Sequence, residues 1–307
     1  MKTVQFLIDT FYRLPKATFK TWSRFGGYSS YRTMRLNQKL MEAAALRLPV
    51  VQSYRDGLPV YFLTGKKYIS QTLFCIQSLT KVTQQKFRFI LIDDGSFDSE
   101  LSSFVKDMLP EVEIVLNDDT EHRLSKILPE RDYPHLHHKR KVYPHIKKLT
   151  DIHTLPGNPW KLVLDSDMLF WQEPLTMINW LNSPDKPLYM QDCQNSYGYS
   201  MELMADVCGC EIRGLINVGT IGLNSAEIDW KTIENWIETL ESKQGTSYYL
   251  EQALTAMLIQ DKASEILPAS AYVVNPDIQT DSIPTCTLHH YVDLSKKDYF
   301  NHAWRIV

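Results

Sequence analysis

Trp160-Lys161-Leu162-Val163-Leu164-Asp165-Ser166-Asp167-Met168-Leu169-Phe170 is an apolar run broken by two carboxylates two residues apart. Its first five residues read as a buried strand. A strand that enters a core does not finish on two acids without a partner for them, because burying unpaired charge is expensive. A divalent cation is one such partner. Carboxylate oxygens suit Mg²⁺ or Mn²⁺, ions that also take phosphate oxygens. The plainer reading is one surface acid and one helix-cap acid, and Asp-x-Asp is too common a pattern to decide by itself.

The texture upstream is regular. Pro59-Val60-Tyr61-Phe62-Leu63-Thr64-Gly65 reads as a strand stopped by glycine, and Ile69, Leu73, Ile76 and Leu79 follow at helical spacing. Phe87-Arg88-Phe89-Ile90-Leu91-Ile92 is a second strand, closed by Asp93-Asp94-Gly95-Ser96. Asp98 is placed to cap a helix that carries Leu101, Phe104, Val105, Met108 and Leu109 on one face. Val112-Glu113-Ile114-Val115-Leu116 is a third strand, and Pro144 opens a helix with Ile146, Leu149 and Ile152 facing inward. This alternation predicts an α/β fold, a Rossmann-like and mostly parallel central sheet flanked by helices. Ligands of such sheets bind outside the carboxyl ends of the strands.

Downstream, Gly214-Leu215-Ile216-Asn217-Val218-Gly219-Thr220-Ile221-Gly222-Leu223 predicts a strand that a ligand or a backbone approaches closely. Two amphipathic helices follow, one with Trp230, Ile233, Trp236, Ile237 and Leu240, the other with Leu250, Leu254, Met257 and Leu258. The chain then reaches His289-His290-Tyr291-Val292-Asp293-Leu294-Ser295-Lys296 and Trp304. Neutral imidazole ligates metals, so a distal His can complete a site begun by Asp167.

Composition narrows the class. The 307 residues are 44% hydrophobic and 22% charged, which excludes wholesale disorder. No apolar run approaches the roughly 18–20 residues of a membrane span. Met1 to Ile8 resembles the start of a secretory leader, but Asp9 breaks the apolar stretch and no small-x-small site follows, so that reading is rejected. Five scattered cysteines fit a reducing, cytoplasmic setting, and Cys208-Gly209-Cys210 reads as two buried thiols beside a turn rather than a metal or redox pair. A net charge of −3 gives the molecule no nucleic-acid footprint. Residues 1–57 stand apart, with ten Lys/Arg against three acids and interleaved aromatics. They read as a basic helical appendage before a domain spanning 58–307, either packed on it with a solvated basic face or resting on an anionic membrane surface.

The Asp93-Asp94-Gly95-Ser96 turn, the Leu-Asp-Ser-Asp-Met-Leu-Phe phrase and the late His290-Tyr291-Val292 with Lys296 and Trp304 resemble, in that order, nucleotide-sugar glycosyltransferases of the GT-A fold. The turn is most similar to that of family two, and the Asp-x-Asp with its late His to family eight. The resemblance covers about residues 58–305. It implies transfer of a sugar from a nucleoside-diphosphate donor, uridine favoured, to a saccharide, lipid-linked or protein acceptor, with Mn²⁺ or Mg²⁺ as cofactor. It implies that Asp94 or Asp93 contacts the nucleoside and that Asp165 touches ribose or sugar and helps hold the metal. Asp167 is then the main metal ligand, His290 the third in preference to His289, and Lys296 neutralises the diphosphate, with Trp304 as an aromatic plate. Thr64 and Ser166, at two strand ends, join the donor-binding set, as does Asn217, whose Asn-Val-Gly-Thr phrase resembles the strand lining the donor-sugar pocket.

Two segments remain open. Glu251, at a helix start, reads as a general base for an acceptor hydroxyl, as a group holding a sugar hydroxyl, or as an acid favouring the helix N-terminus. His135, His137, His138 and His145 lie among five bases in a spacing that matches no zinc pattern. They read as a basic wall near a diphosphate, with Lys147 or Lys148 as its best candidates. Two other classes compete. A sugar-phosphate nucleotidyltransferase needs a glycine-rich loop after the first strand, where Thr64-Gly65-Lys66-Lys67-Tyr68 has a single Gly. A non-catalytic carbohydrate-binding protein would bind the donor without turning it over.

Overall fold

A computed structural model describes residues 14–277 and 283–307. The leader-like start and the first bases of the basic segment lie outside the described residues. Among those described, the strands are β1 (Leu58–Thr64), β2 (Phe87–Asp93), β3 (Glu113–Val115), β4 (Trp160–Leu164), β5 (Met168–Phe170), β6 (Leu188–Gln191), β7 (Ile216–Asn224), β8 (Glu265–Leu267), β9 (Tyr272–Val274) and β10 (Leu288–His290). Seven form one sheet, ordered β3-β2-β1-β4-β7-β6-β8. β3, β2, β1 and β4 run parallel, and β7 alone opposes both of its neighbours. β8 runs parallel to β6, so the expected mostly parallel sheet is present.

Alternation along the central strands builds two cores. Val60, Phe62, Phe89, Leu91, Leu162 and Leu164 face one side, and Tyr61, Ile90, Ile92 and Val163 the other. Both faces are covered by helices, which is why these strands are near-continuously apolar. The helix Ile69–Lys81 covers the first face, and the helices Lys147–His153 and Leu250–Ile259 cover the second. The helix expected from Pro144 starts as a 3-10 turn, Pro144–Ile146, and becomes α-helical at Lys147. Asp98 caps its helix as expected, accepting from Leu101 N at 2.8 Å.

The second sheet, ordered β5-β10-β9, was not legible in the sequence. β10 pairs antiparallel with β5 and sets His290 opposite Met168. Beneath it lies a third cluster. Met34, Met41 and Ala45 of the helix Tyr28–Ala45 pack there against Phe74, Leu169, Trp171, Tyr291 and Tyr299. Of the described part of the basic N-terminal segment, Leu14–Arg24 and Tyr28–Ala45 are helical, and the helix Tyr28–Ala45 is built into the apolar interior of the small sheet.

Candidate active site

β4 delivers its two acids to the carboxyl edge of the sheet. Asp165 N donates to Gly219 O of β7 at 2.8 Å, which holds the Asp-Ser-Asp turn against that strand. The β5–β10 pairing, extended by Tyr291 N donating to Asp167 O at 2.8 Å, brings His290 to the same point. One ligand atom from each of Asp165, Asp167 and His290 lies within 4.8 Å of the others. His290 Nε2 is 3.3 Å from Asp167 Oδ1 and 3.6 Å from Asp165 Oδ2, buried and without a hydrogen-bond partner among the described residues. A buried ring nitrogen left unpaired between two carboxylates is costly unless something binds it. Two carboxylates and one imidazole are a donor set that suits Mn²⁺ or Mg²⁺. The trio therefore fits a divalent cation.

Lysines frame the trio. Lys148 Nζ lies 3.1 Å from Asp165 Oδ1 and 3.2 Å from Glu251 Oε2, and its side chain is buried. Burial favours discharging it, but Asp165 and Glu251 outweigh burial and hold its pKa above the ordinary lysine range. One cation cannot fully neutralise two carboxylates. The deficit falls on Glu251, whose carboxyl burial pushes up to about 7 against the pull of Lys148. Lys296 Nζ lies 3.1 Å from Asp167 Oδ2. Burial alone would raise the Asp167 carboxyl, but neighbouring positive charge, Lys296 foremost, outweighs it and holds it well below the usual carboxylate range.

The remaining expected residues divide. Asp93 is closed over backbone: Oδ1 accepts from Gly95, Ser96 and Phe97 N at 2.7, 2.9 and 3.0 Å, and Oδ2 from Asn117 N at 3.2 Å. Its carboxylate builds the turn and is not offered to a ligand. Asp94 is half-buried beside it, and its carbonyl accepts from Lys147 Nζ at 2.8 Å. Thr64 is fully buried, and its hydroxyl meets that of Thr72 at 2.7 Å, which meets Ser166 Oγ at 2.8 Å. Both residues expected to bind donor thus spend their hydroxyls on a chain beneath the site. Asn217 is buried, with both ends of its amide engaged by protein.

His289 turns the other way, toward Tyr291 Oη at 3.2 Å and the Trp171 ring, and burial lowers its pKa to about 4. Trp304 is no plate for a ligand. It is buried in the third cluster against Phe74, with ring centroids 5.7 Å apart. Of the basic segment, Lys139, Arg140 and Lys141 are paired with Glu241, with Asp151 and Glu121, and with Glu130. Only its Lys147 and Lys148 reach the site, with His145 close by. Cys208 and Cys210 are half-buried rather than buried, with sulfurs 3.3 Å apart across Gly209.

Three residues escaped the sequence reading. Asp192 follows β6 as Asp165 follows β4, a strand-end acid that the same pattern could have flagged. Gln252, next to Glu251, donates to Asp192 Oδ2 at 3.1 Å. Tyr248 is 66% exposed at the rim, its ring 5.1 Å from that of His145.

Solved structures that resemble this chain include glycosyltransferases. Mouse xyloside xylosyltransferase 1 has 11% identity and a TM-score of 0.52, covering 78% of this chain and 97% of that one. The galactosyltransferase LgtC, in complex with donor and acceptor sugar analogues, has 14% identity and a TM-score of 0.48, covering 80% and 84%. At these identities the likeness is one of fold, and the fold is of the GT-A type. No protein-family model matches the chain, and no curated protein matches it in sequence.

Proposed function

We propose that the protein is a divalent-metal-dependent glycosyltransferase. In this reading it moves a sugar from a nucleoside diphosphate, uridine favoured, to an acceptor hydroxyl on a saccharide, lipid-linked or protein acceptor. The observation that carries the reading is the trio Asp165, Asp167 and His290 at the carboxyl edge of a GT-A sheet, with His290 Nε2 buried and unpaired between the acids. Mn²⁺ or Mg²⁺ held there would offset the charge that develops on a departing nucleoside diphosphate.

The chain's own groups have distinct tasks. Lys296, beside Asp167, and Lys147, on the Asp94 carbonyl, would neutralise the diphosphate, and Asp94 would accept hydrogen bonds from the nucleoside. Tyr248 offers an exposed ring face for a sugar. As the acceptor oxygen bonds to the anomeric carbon, the bond from that carbon to the diphosphate breaks and the acceptor's proton goes to Glu251. A carboxyl pushed up to about 7 is well matched to that task near neutral pH.

Asp167→Ala tests the reading. The variant is expected to lose donor hydrolysis and transfer while retaining the wild-type circular dichroism spectrum. Full activity in the variant, or in wild type with chelator present, refutes the metal site.

The outer side of the helix Tyr28–Ala45 supports peripheral membrane contact. Leu36 and Leu40 are 54% exposed there, among exposed Arg32, Arg35 and Lys39. Among the described residues no helix is long and apolar enough to cross a membrane. Anionic liposomes should float the wild type and not a variant with Arg32, Arg35 and Lys39 changed to Glu.

A further inference from the structure

Asn217 sits between the metal trio and a second buried carboxylate, and its amide can face only one way. Its Oδ1 accepts from Gly219 N at 2.9 Å, and its Nδ2 donates to Asp192 Oδ2 at 3.1 Å. A backbone N–H only donates and an ionised carboxylate only accepts, so these two partners fix which end of the amide is oxygen. That oxygen lies 3.1 Å from His290 Nδ1. An amide oxygen has no hydrogen to give, so the contact requires the hydrogen on Nδ1. Whenever the ring is neutral, its lone pair is then on Nε2, the atom that lies buried between Asp165 and Asp167.

We infer that Asp192 and Asn217 form a positioning relay that locks His290 in the tautomer able to ligate a divalent cation. Asp192 is itself held, because Cys193 N donates to its Oδ1 at 2.7 Å and Gln252 Nε2 to its Oδ2 at 3.1 Å. The relay explains three buried polar side chains that the transfer chemistry does not use. It also gives Asn217 a task other than contact with the donor sugar. Groups one step behind a metal ligand typically change metal affinity by about 10–100-fold when removed.

The inference rests on the trio being a cation site, and the test separates the two claims. Mn²⁺ binding to the whole protein is followed by the loss of the free-ion electron paramagnetic resonance signal, with no substrate present. Long-range ¹H–¹⁵N correlation of ¹⁵N-histidine protein, metal-free and near neutral pH, reports which nitrogen of His290 bears hydrogen. Wild type is expected to bind Mn²⁺ and to show hydrogen on Nδ1. Asn217→Ala is expected to weaken binding about 10–100-fold and to mix the tautomers.

The paired exchange of Asn217→Asp with Asp192→Asn guards against a packing effect. The carboxylate placed at 217 would accept from Gly219 N and His290 Nδ1, the amide placed at 192 would donate back to it, and Gln252 would turn its own amide over. This exchange is expected to restore most of the affinity and the single tautomer. Hydrogen on Nε2 with none on Nδ1 in wild type overturns the relay, as does unchanged Mn²⁺ affinity in Asn217→Ala, or an exchange no better than the alanine variant. Wild type that binds no Mn²⁺ overturns the cation site itself, and the relay with it.

Discussion

Gly219→Ala isolates a close approach at the metal trio. A Cβ at this position would lie 2.2 Å from His290 Cε1 and 2.5 Å from both His290 Nδ1 and Met168 Cε. Carbon atoms in contact settle near about 3.5–4.0 Å, so the imidazole must retreat by about 1.3 Å or more. The Met168 methyl is the end of a flexible side chain and can swing aside. The ring has no such freedom, because Asn217 holds its Nδ1 edge and β10 is paired on both sides. Metal sites tolerate deviations of about 0.2 Å from their ligand distances, so a retreat of this size removes His290 from the site. We therefore expect Mn²⁺ affinity to fall at least about tenfold, or about 1.4 kcal/mol. Overpacking should cost a further ~1–3 kcal/mol of stability. Calorimetric titration with Mn²⁺ reads the first quantity and urea unfolding the second. Wild-type metal affinity in a folded Gly219→Ala protein would refute the argument that this strand carries glycine to admit the histidine.

Other consequences follow from the charges around the trio. If Glu251 takes the acceptor's proton, it must be ionised, and its carboxyl is pushed up to about 7. Turnover should then rise with pH through about 7 and fall about tenfold per unit below it. A limb centred in the ordinary carboxylate range, or full turnover in Glu251→Gln, removes Glu251 from that role. Lys148→Met strips the shared cation from Asp165 and Glu251 and should cost ~3–5 kcal/mol in denaturant unfolding. A loss under about 1 kcal/mol would mean that the pair is effectively solvated. Asp93→Ala leaves the backbone N–H groups of Gly95, Phe97 and Asn117 without an acceptor, while Ser96 N keeps Asp94 Oδ1, and should cost about 2–4 kcal/mol, read by thermal unfolding. No measurable loss would mean that water replaces the carboxylate in that turn.

What the sequence made legible was local. β1, β2 and β4 declared themselves as apolar runs because they are buried on both faces, and the acids closing β2 and β4 stood out against those runs. The division of labour between Asp93 and Asp94 was not legible. Asp93 still belongs to β2 and turns inward over the following amides, whereas Asp94 lies past the strand end. Lys147 and Lys148 are likewise adjacent, but a helix turns each residue by about 100°. One therefore reaches the Asp94 carbonyl, and the other reaches Asp165 and Glu251. Trp304 misled because nearness to Lys296 along the chain says nothing about which side of a helix faces the apolar cluster.

The choice between His289 and His290 had a different origin. Adjacent residues of a strand point to opposite faces, so only one of the pair can meet the carboxylates. Which one does is set by register, and β10 is three residues long with a partner more than a hundred positions away. A strand that short has no periodicity to read, and its register exists only once β5 and β9 are in place. The same pairing that sets His290 opposite Met168 sends His289 toward Trp171 and Tyr291, where burial keeps it neutral to about pH 4. A slip of one residue would set His289 or Tyr291 where His290 stands and take His290 away from Asn217 and the carboxylates. The place of His290 beside the two carboxylates is therefore specified less by its own neighbours in sequence than by the residues that fix this register. Among these is the apolar cluster in which the helix Tyr28–Ala45 packs beneath the small sheet.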